Sequence, residues 1–179
     1  MVRSAICSIA AACAATALSA APAYQARADE AQIQRGKYLV TIAGCSDCHT
    51  PGALIGQSDM ARYLGGSDVG FAIPGLGVYY GQNLTPDKET GLGDWSAEQI
   101  VAAIRTGKRP DGAMVSPVMP YPAFSHLTDE DAQAIAAFLK GLPAVKNKVP
   151  GPLGPKDKPA GLVSVVLPAE VYNGLPGSK

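Results

Sequence analysis

Two cysteines and a histidine occupy five consecutive positions, Cys45-Ser46-Asp47-Cys48-His49, between Gly44 and Thr50. Four chemistries use such a group. Zinc would take two thiolates and an imidazole, and a structural zinc site needs a fourth ligand. A redox dithiol places its first cysteine at a helix N-terminus in a βαβ setting. A disulfide across two intervening residues closes a tight, strained ring. Covalent haem attachment has C-x-x-C-H as its signature. There each thiol adds to one of two neighbouring vinyl groups, and the histidine that follows serves as the proximal ligand of the iron.

The N-terminus bears on the choice. Arg3 precedes an apolar run from Ala5 to Ala20, and small-residue cleavage sites follow at Ala21-Pro22-Ala23 or Ala26-Arg27-Ala28. This is the pattern of a secretory signal peptide over residues 1–28. The run is shorter than the roughly 20 apolar residues of a membrane span. The expectation is an exported, periplasmic protein with no transmembrane segment. Cleavage would remove Cys7 and Cys13, leaving Cys45 and Cys48 as the cysteines and His126 as the one histidine besides His49. Zinc would then need His126 as its fourth ligand, and no strand precedes the motif to suit a redox dithiol. Haem is joined to cysteines outside the cytoplasm, so export agrees with the fourth chemistry best; the other three remain alternatives.

The sixth position of a haem iron separates electron transfer from catalysis. Met60, Met114, Met119 and His126 are available. Met119 stands out because Pro120 and Pro122 stiffen its loop. A stiff loop reduces the entropic cost of holding a weak thioether ligand. Met60 reads as a loop or core residue and His126 as a surface one.

These residues need elements to hold them. Ile33, Gly36, Val40 and Ala43 share one face of a helix predicted over Asp29–Ala43, with Gly44 as its stop. Ser96 and Gln99 form a capping box, with Trp95 and Ile100 as its hydrophobic staple, for a second helix ending at Thr106 before Gly107. Thr128, with Asp131 three residues on, opens a third, which Gly141 and Pro143 close. From Pro51 to Asp94 the chain is Gly-rich and shows no sustained period, apart from a short helix near Ser58–Tyr63. Long loops of this kind are usually functional. Beyond Pro143 the Pro-, Gly- and Lys-rich sequence reads as an extended tail, with a short strand or docking segment at Leu162–Leu167.

Charge excludes one class of partner. Residues 29–139 carry 7 basic and 13 acidic side chains, whereas residues 140–179 carry 6 basic and 2 acidic. An acidic body with a basic tail lacks the basic stripe that nucleic acid requires.

Taken together, RGKYLVTIAGCSDCHT, YLGG, GQNLTPDKETGLGDWSAEQIVAAIRTGKRPDG and SPVMPYPAFSHLTDEDAQAIAAFLKGLP resemble class I c-type cytochromes. The match is best to the haem domains of cytochrome subunits of periplasmic alcohol and aldehyde dehydrogenases, over about Gln34–Val145. The resemblance implies an all-α, cytochrome c-like fold, with three main helices around one covalently attached haem c and long Gly/Pro-rich loops. The implied domains are a signal peptide at 1–28, a cytochrome c domain at 29–145 and an extension at 146–179. Cys45 and Cys48 would carry the thioethers, His49 would be the proximal iron ligand and Met119 the distal one. Tyr80, Asn83, Trp95 and Arg105 would line the haem or bind its propionates, and the first and third helices would cross at Gly36 beneath Phe138. The implied function is single-electron transfer, not enzymatic catalysis, from a periplasmic dehydrogenase to an oxidase or another cytochrome. The alternative is a haem enzyme or gas sensor with an open sixth site. The resembling subunits often carry three haem motifs and a C-terminal membrane helix; this sequence shows one motif and no such helix.

Overall fold

A computed structural model describes residues 20–176, and its side chains from residue 29 onward. The predicted signal segment therefore lies mostly outside the described residues. The chain divides into two units, Met1–Ala31 and Gln32–Lys179. The described backbone of the first is helical from Ala20, where α1 (Ala20–Ile42) begins. The second unit contains the remaining elements.

Helix α2 (Cys45–His49) follows α1 after a single turn. Two 3-10 turns, Ala53–Ile55 and Met60–Arg62, lead to strands β1 (Val69–Ile73) and β2 (Gly77–Tyr80). Then come α3 (Ala97–Thr106), α4 (Tyr121–Phe124) and α5 (Asp129–Lys140). Strand β3 (Leu162–Val165) and α6 (Ala169–Asn173) end the described chain.

The main helices start where local chemistry starts them. Ser96 accepts from the Gln99 backbone N–H while the Gln99 side chain accepts from Ser96, so both halves of the capping box are made. Thr128 accepts from Asp131 N–H, and Asp129, Glu130 and Asp131 place negative charge at the positive end of α5. Gly107 stops α3 in the left-handed region, at φ +74°. The core forms where these helices meet: Leu39 and Val40 of α1, Ile100 of α3, and Ile135, Ala136, Phe138 and Leu139 of α5, with Leu64 from the intervening loop. Gly36 lies at the crossing of α1 and α5. A β-carbon there would overlap the Ala134 carbonyl oxygen and come 2.8 Å from Phe138 Cβ. Arg35 secures the crossing through a two-pronged bond to Asp131, at 2.8 and 3.0 Å.

The all-α expectation is wrong. A three-stranded sheet of order β2-β1-β3 stands beside the helices. β1 and β2 form an antiparallel hairpin with Gly70 opposite Tyr80 and Ile73 opposite Gly77. Pro74-Gly75 makes its turn: Gly75 has φ +81° and Leu76 N–H donates to Ile73 O, as a type II turn requires. β3 joins β1 in parallel, Val69 opposite Leu162. β1 and β2 are only five and four residues long and no local period reveals them, whereas β3 falls within Leu162–Leu167, where the sequence predicts a short strand or docking segment.

The segment beyond Pro143 is extended, as its composition suggests, and it is also firmly bound. Leu153 and Val78 exchange backbone hydrogen bonds at 2.9 Å. Val149 is buried against Val78 and Tyr80. Three glycines make room for it: β-carbons at Gly66 and Gly77 would overlap Val149 and Leu153, and one at Gly65 would come within 3.0 Å of Val145. Residues 144–154 thus form a strap across the loop region.

Candidate functional site

Gly44 takes the left-handed conformation, φ +66°, and turns the chain from α1 directly into α2. On α2, Cys45 and Cys48 are three residues apart and so share a face. Both thiols are free and half-buried, and Cys45 packs against the helical core. Burial pushes Cys45 up to about 11, with smaller contributions from the charges of Cys48 and Asp47. Cys48 is raised too, first by burial and then by Asp47. Both are therefore neutral thiols at physiological pH. Among the described residues, no three His, Cys, Asp or Glu side chains are grouped to hold a metal ion.

His49 is oriented by the backbone. Its Nδ1 lies 2.7 Å from the Gln82 carbonyl oxygen. A carbonyl only accepts, so Nδ1 carries the hydrogen and Nε2 keeps its lone pair. Burial lowers the pKa of the imidazole, against the opposing effect of the Gln82 bond. The ring is thus neutral and in one tautomer, the state in which histidine ligates metal. Gln82 can come this close because its neighbour is Gly81, where a β-carbon would overlap the Cys48 carbonyl oxygen. The far end of α2 is tied as well. Gly66 N–H donates to His49 O at 2.8 Å, and Leu64 N–H donates to the buried Thr50 hydroxyl at 3.0 Å. Leu64 adopts φ +57°, unusual for a residue with a side chain, to make this connection.

Two neutral thiols on one helical face, an imidazole with a free Nε2 and a glycine-lined close approach fit a covalently attached haem with its iron on His49. Of the methionines, Met60 is 65% and Met114 53% exposed, whereas Met119 is half-buried. Met119 sits in a turn in which its N–H donates to Ser116 O and its carbonyl accepts from Tyr121 N–H, at 2.9 and 2.8 Å. The turn leads directly into α4, which packs on α3. Met114 instead covers Gly107 with its terminal methyl. His126 is exposed.

The remaining predicted site residues are engaged in the protein itself. Tyr80 is buried in β2 and its hydroxyl reaches Ala160 O at 3.4 Å. The Asn83 side chain donates to Val145 O and Thr90 Oγ1 and accepts from the Thr85 N–H and hydroxyl. Trp95 packs on the helical core, and its carbonyl accepts from Lys140 Nζ at 2.7 Å. Arg105 pairs with Asp129. Sequence reasoning missed Gly81 and Gln82. A glycine at the end of a strand is a sign of close backbone approach; Gln82 leaves no sign, since every residue has a carbonyl.

Similarity to known proteins extends over most of the chain. Residues 33–143 match the family described as cytochrome c. The chain is 42% identical over 137 residues to the cytochrome c subunit of the quinone alcohol dehydrogenase of Gluconobacter oxydans, covering 75% of this chain and 27% of that one. It is 37% identical over 134 residues to the fructose dehydrogenase cytochrome subunit of Gluconobacter japonicus, covering 71% and 26%. It is 37% identical over 133 residues to the gluconate 2-dehydrogenase cytochrome c subunit of Pantoea cypripedii, covering 71% and 28%. The aligned part thus makes up about a quarter of each relative's length.

Proposed function

This chain belongs to the cytochrome c family, haem-bearing proteins of electron transport, and from that premise we propose that it is a monohaem carrier of single electrons, exported to the periplasm. The observation that carries the reading is the single turn of α2, which presents two neutral thiols and an imidazole with Nε2 free. Cys45 and Cys48 would hold the haem by thioether bonds, and His49 and Met119 would ligate its iron. When bound, haem c supplies an iron that alternates between the ferric and ferrous states.

The chain's own groups set the conditions for that cycle. The Gln82 carbonyl fixes the His49 ring and increases its donor strength. A thioether from Met119 favours the reduced state. Leu39, Val40, Leu64 and Ile100, packed beside Cys45, exclude water and so disfavour the extra charge of the oxidised state. One C-x-x-C-H motif in the sequence supports one haem. The relatives' names support a dehydrogenase as electron donor; the acceptor would be an oxidase or another cytochrome. Among the described residues no helix is long and apolar enough to cross a membrane.

The test is a visible spectrum of the exported protein, oxidised and reduced, with and without carbon monoxide. A low-spin spectrum indifferent to carbon monoxide is expected. Met119→Ala should lose the Met–iron band, bind carbon monoxide and lower the potential by on the order of 0.1 V. Rapid carbon monoxide binding by the unmutated protein would put an open-site haem enzyme or sensor first.

A further inference from the structure

The strap reaches the haem-ligand side of the molecule through one residue. Gln82 offers its backbone carbonyl to His49 Nδ1–H at 2.7 Å. Its side-chain amide donates to Pro150 O of the strap at 3.1 Å and to Tyr80 O at 3.0 Å. The next residue, Asn83, is buried and donates to Val145 O at 2.7 Å. Val145 N–H returns a bond to Thr85 Oγ1 at 3.0 Å. On the other side of His49, Gly66 donates its N–H to His49 O, and Val149 of the strap packs directly on Gly66. The His49 ring and the His49 carbonyl are therefore each bonded to a segment that the strap touches.

We propose that the C-terminal strap, acting through Gln82, is a positioning element for His49: it holds the peptide whose carbonyl fixes the imidazole, and so tunes the iron ligand from outside the family domain. The family match ends at residue 143, just before the strap begins. A carbonyl bonded to a ligating histidine increases the ring's donor strength, and partners of this kind have large effects on a metal site. Gln82 is a positioning residue, because its side chain acts on the ring only through its own backbone. The inference rests on His49 being the iron ligand.

Gln82→Met keeps length and volume but removes both amide bonds. Val149→Ala loosens the strap without changing Gln82. The haem-loaded, reduced protein is examined by proton NMR for exchange of the His49 Nδ1–H, and its reduction potential is measured. Exchange should accelerate about tenfold in Gln82→Met and less in Val149→Ala. The potential should rise, since a less firmly bonded imidazole stabilises ferric iron less. Arg35→Ala breaks the α1–α5 ion pair away from the strap; it should lower thermal stability but leave exchange and potential unchanged. If Gln82→Met does not fold, Val149→Ala decides by the same readouts. Unchanged exchange and potential in the strap variants, or equal acceleration in Arg35→Ala, would overturn the inference. Covalent haem absent from the unmutated protein would instead overturn the reading beneath it.

Discussion

At the scale of residues, chemistry written in consecutive letters was legible and chemistry made by the fold was not. Cys45, Cys48 and His49 announce themselves because a short stretch of helix brings them together. The carbonyl that selects the His49 tautomer lies 33 residues away. The resemblance implies that Asn83 lines the haem or binds its propionates. Its side chain makes four hydrogen bonds within the protein, so it ties the strap to the loop at 83–90. Gly81 provides the sharpest test. Gly81→Ala places a methyl against backbone, which cannot move aside as a side chain can. It should cost about 1–3 kcal/mol or more and lower the yield of haem-loaded protein. Gly151→Ala, where a β-carbon meets nothing within 4 Å, should leave both the melting temperature and the haem content unchanged.

At the scale of elements, α3 and α5 were read correctly because their start and stop signals are local, whereas α1 begins at Ala20 rather than at Asp29, and the short helices α2, α4 and α6 carry no such signals. Ser96 with Gln99, and Thr128 with Asp131, are three-residue patterns that the structure fills with hydrogen bonds. The crossing at Gly36 was implied by the family resemblance, and the structure places Gly36 against Ala134 and Phe138 of α5. The sequence predicts a short strand or docking segment at Leu162–Leu167, but the sheet escaped because β3 pairs with a strand about 90 residues earlier, and only tertiary packing makes that partner available. The crossing yields a pH prediction. The hydrogen bonds from Arg35, followed by its charge, hold the Asp131 carboxyl below the ordinary carboxylate value. Its contribution to stability is present above the unfolded value, near pH 4, and is lost as pH falls through the lower folded value. Asp131→Asn should therefore melt at a lower temperature than the unmutated protein at pH 7. The gap should close as pH falls below about 4. A gap independent of pH would mean that shape, not charge, holds the crossing.

At the scale of the whole molecule, the contrast between an acidic body and a basic tail is partly settled within the chain. Lys146 of the strap pairs with Glu89 of the body at 2.6 Å. Being exposed, that pair contributes little, about 0–1 kcal/mol; the buried bonds around Asn83 and Thr85 matter more. Two truncations separate the parts. Ending the chain after Ala160 removes β3 and α6 but keeps the strap, and should lower the melting temperature modestly. Ending it after Pro143 also removes the Val145 bonds of the Asn83 amide and the Thr85 hydroxyl, which keep their bonds to Thr90 and to each other, and uncovers Val78 and Tyr80 where Val149 packs. Each lost hydrogen bond costs about 0.5–1.5 kcal/mol, and with the lost apolar burial the shorter form should melt well below the longer one. Equal melting temperatures for the two truncated forms would mean that the strap adds nothing to the fold.

The strap also imposes an order in time. Synthesis runs from the N-terminus at roughly 5–20 residues per second, and about a hundred residues separate Cys48 from the strap's first contact at Val145. The two thiols are therefore made on the order of 5–20 s before the segment that closes over the Gln82 loop. Until the strap is in place, the Gln82 amide lacks its Pro150 partner and the Asn83 amide its Val145 partner, so the His49 environment is completed only once most of the chain is present, and the order of the sequence doubles as an order of assembly.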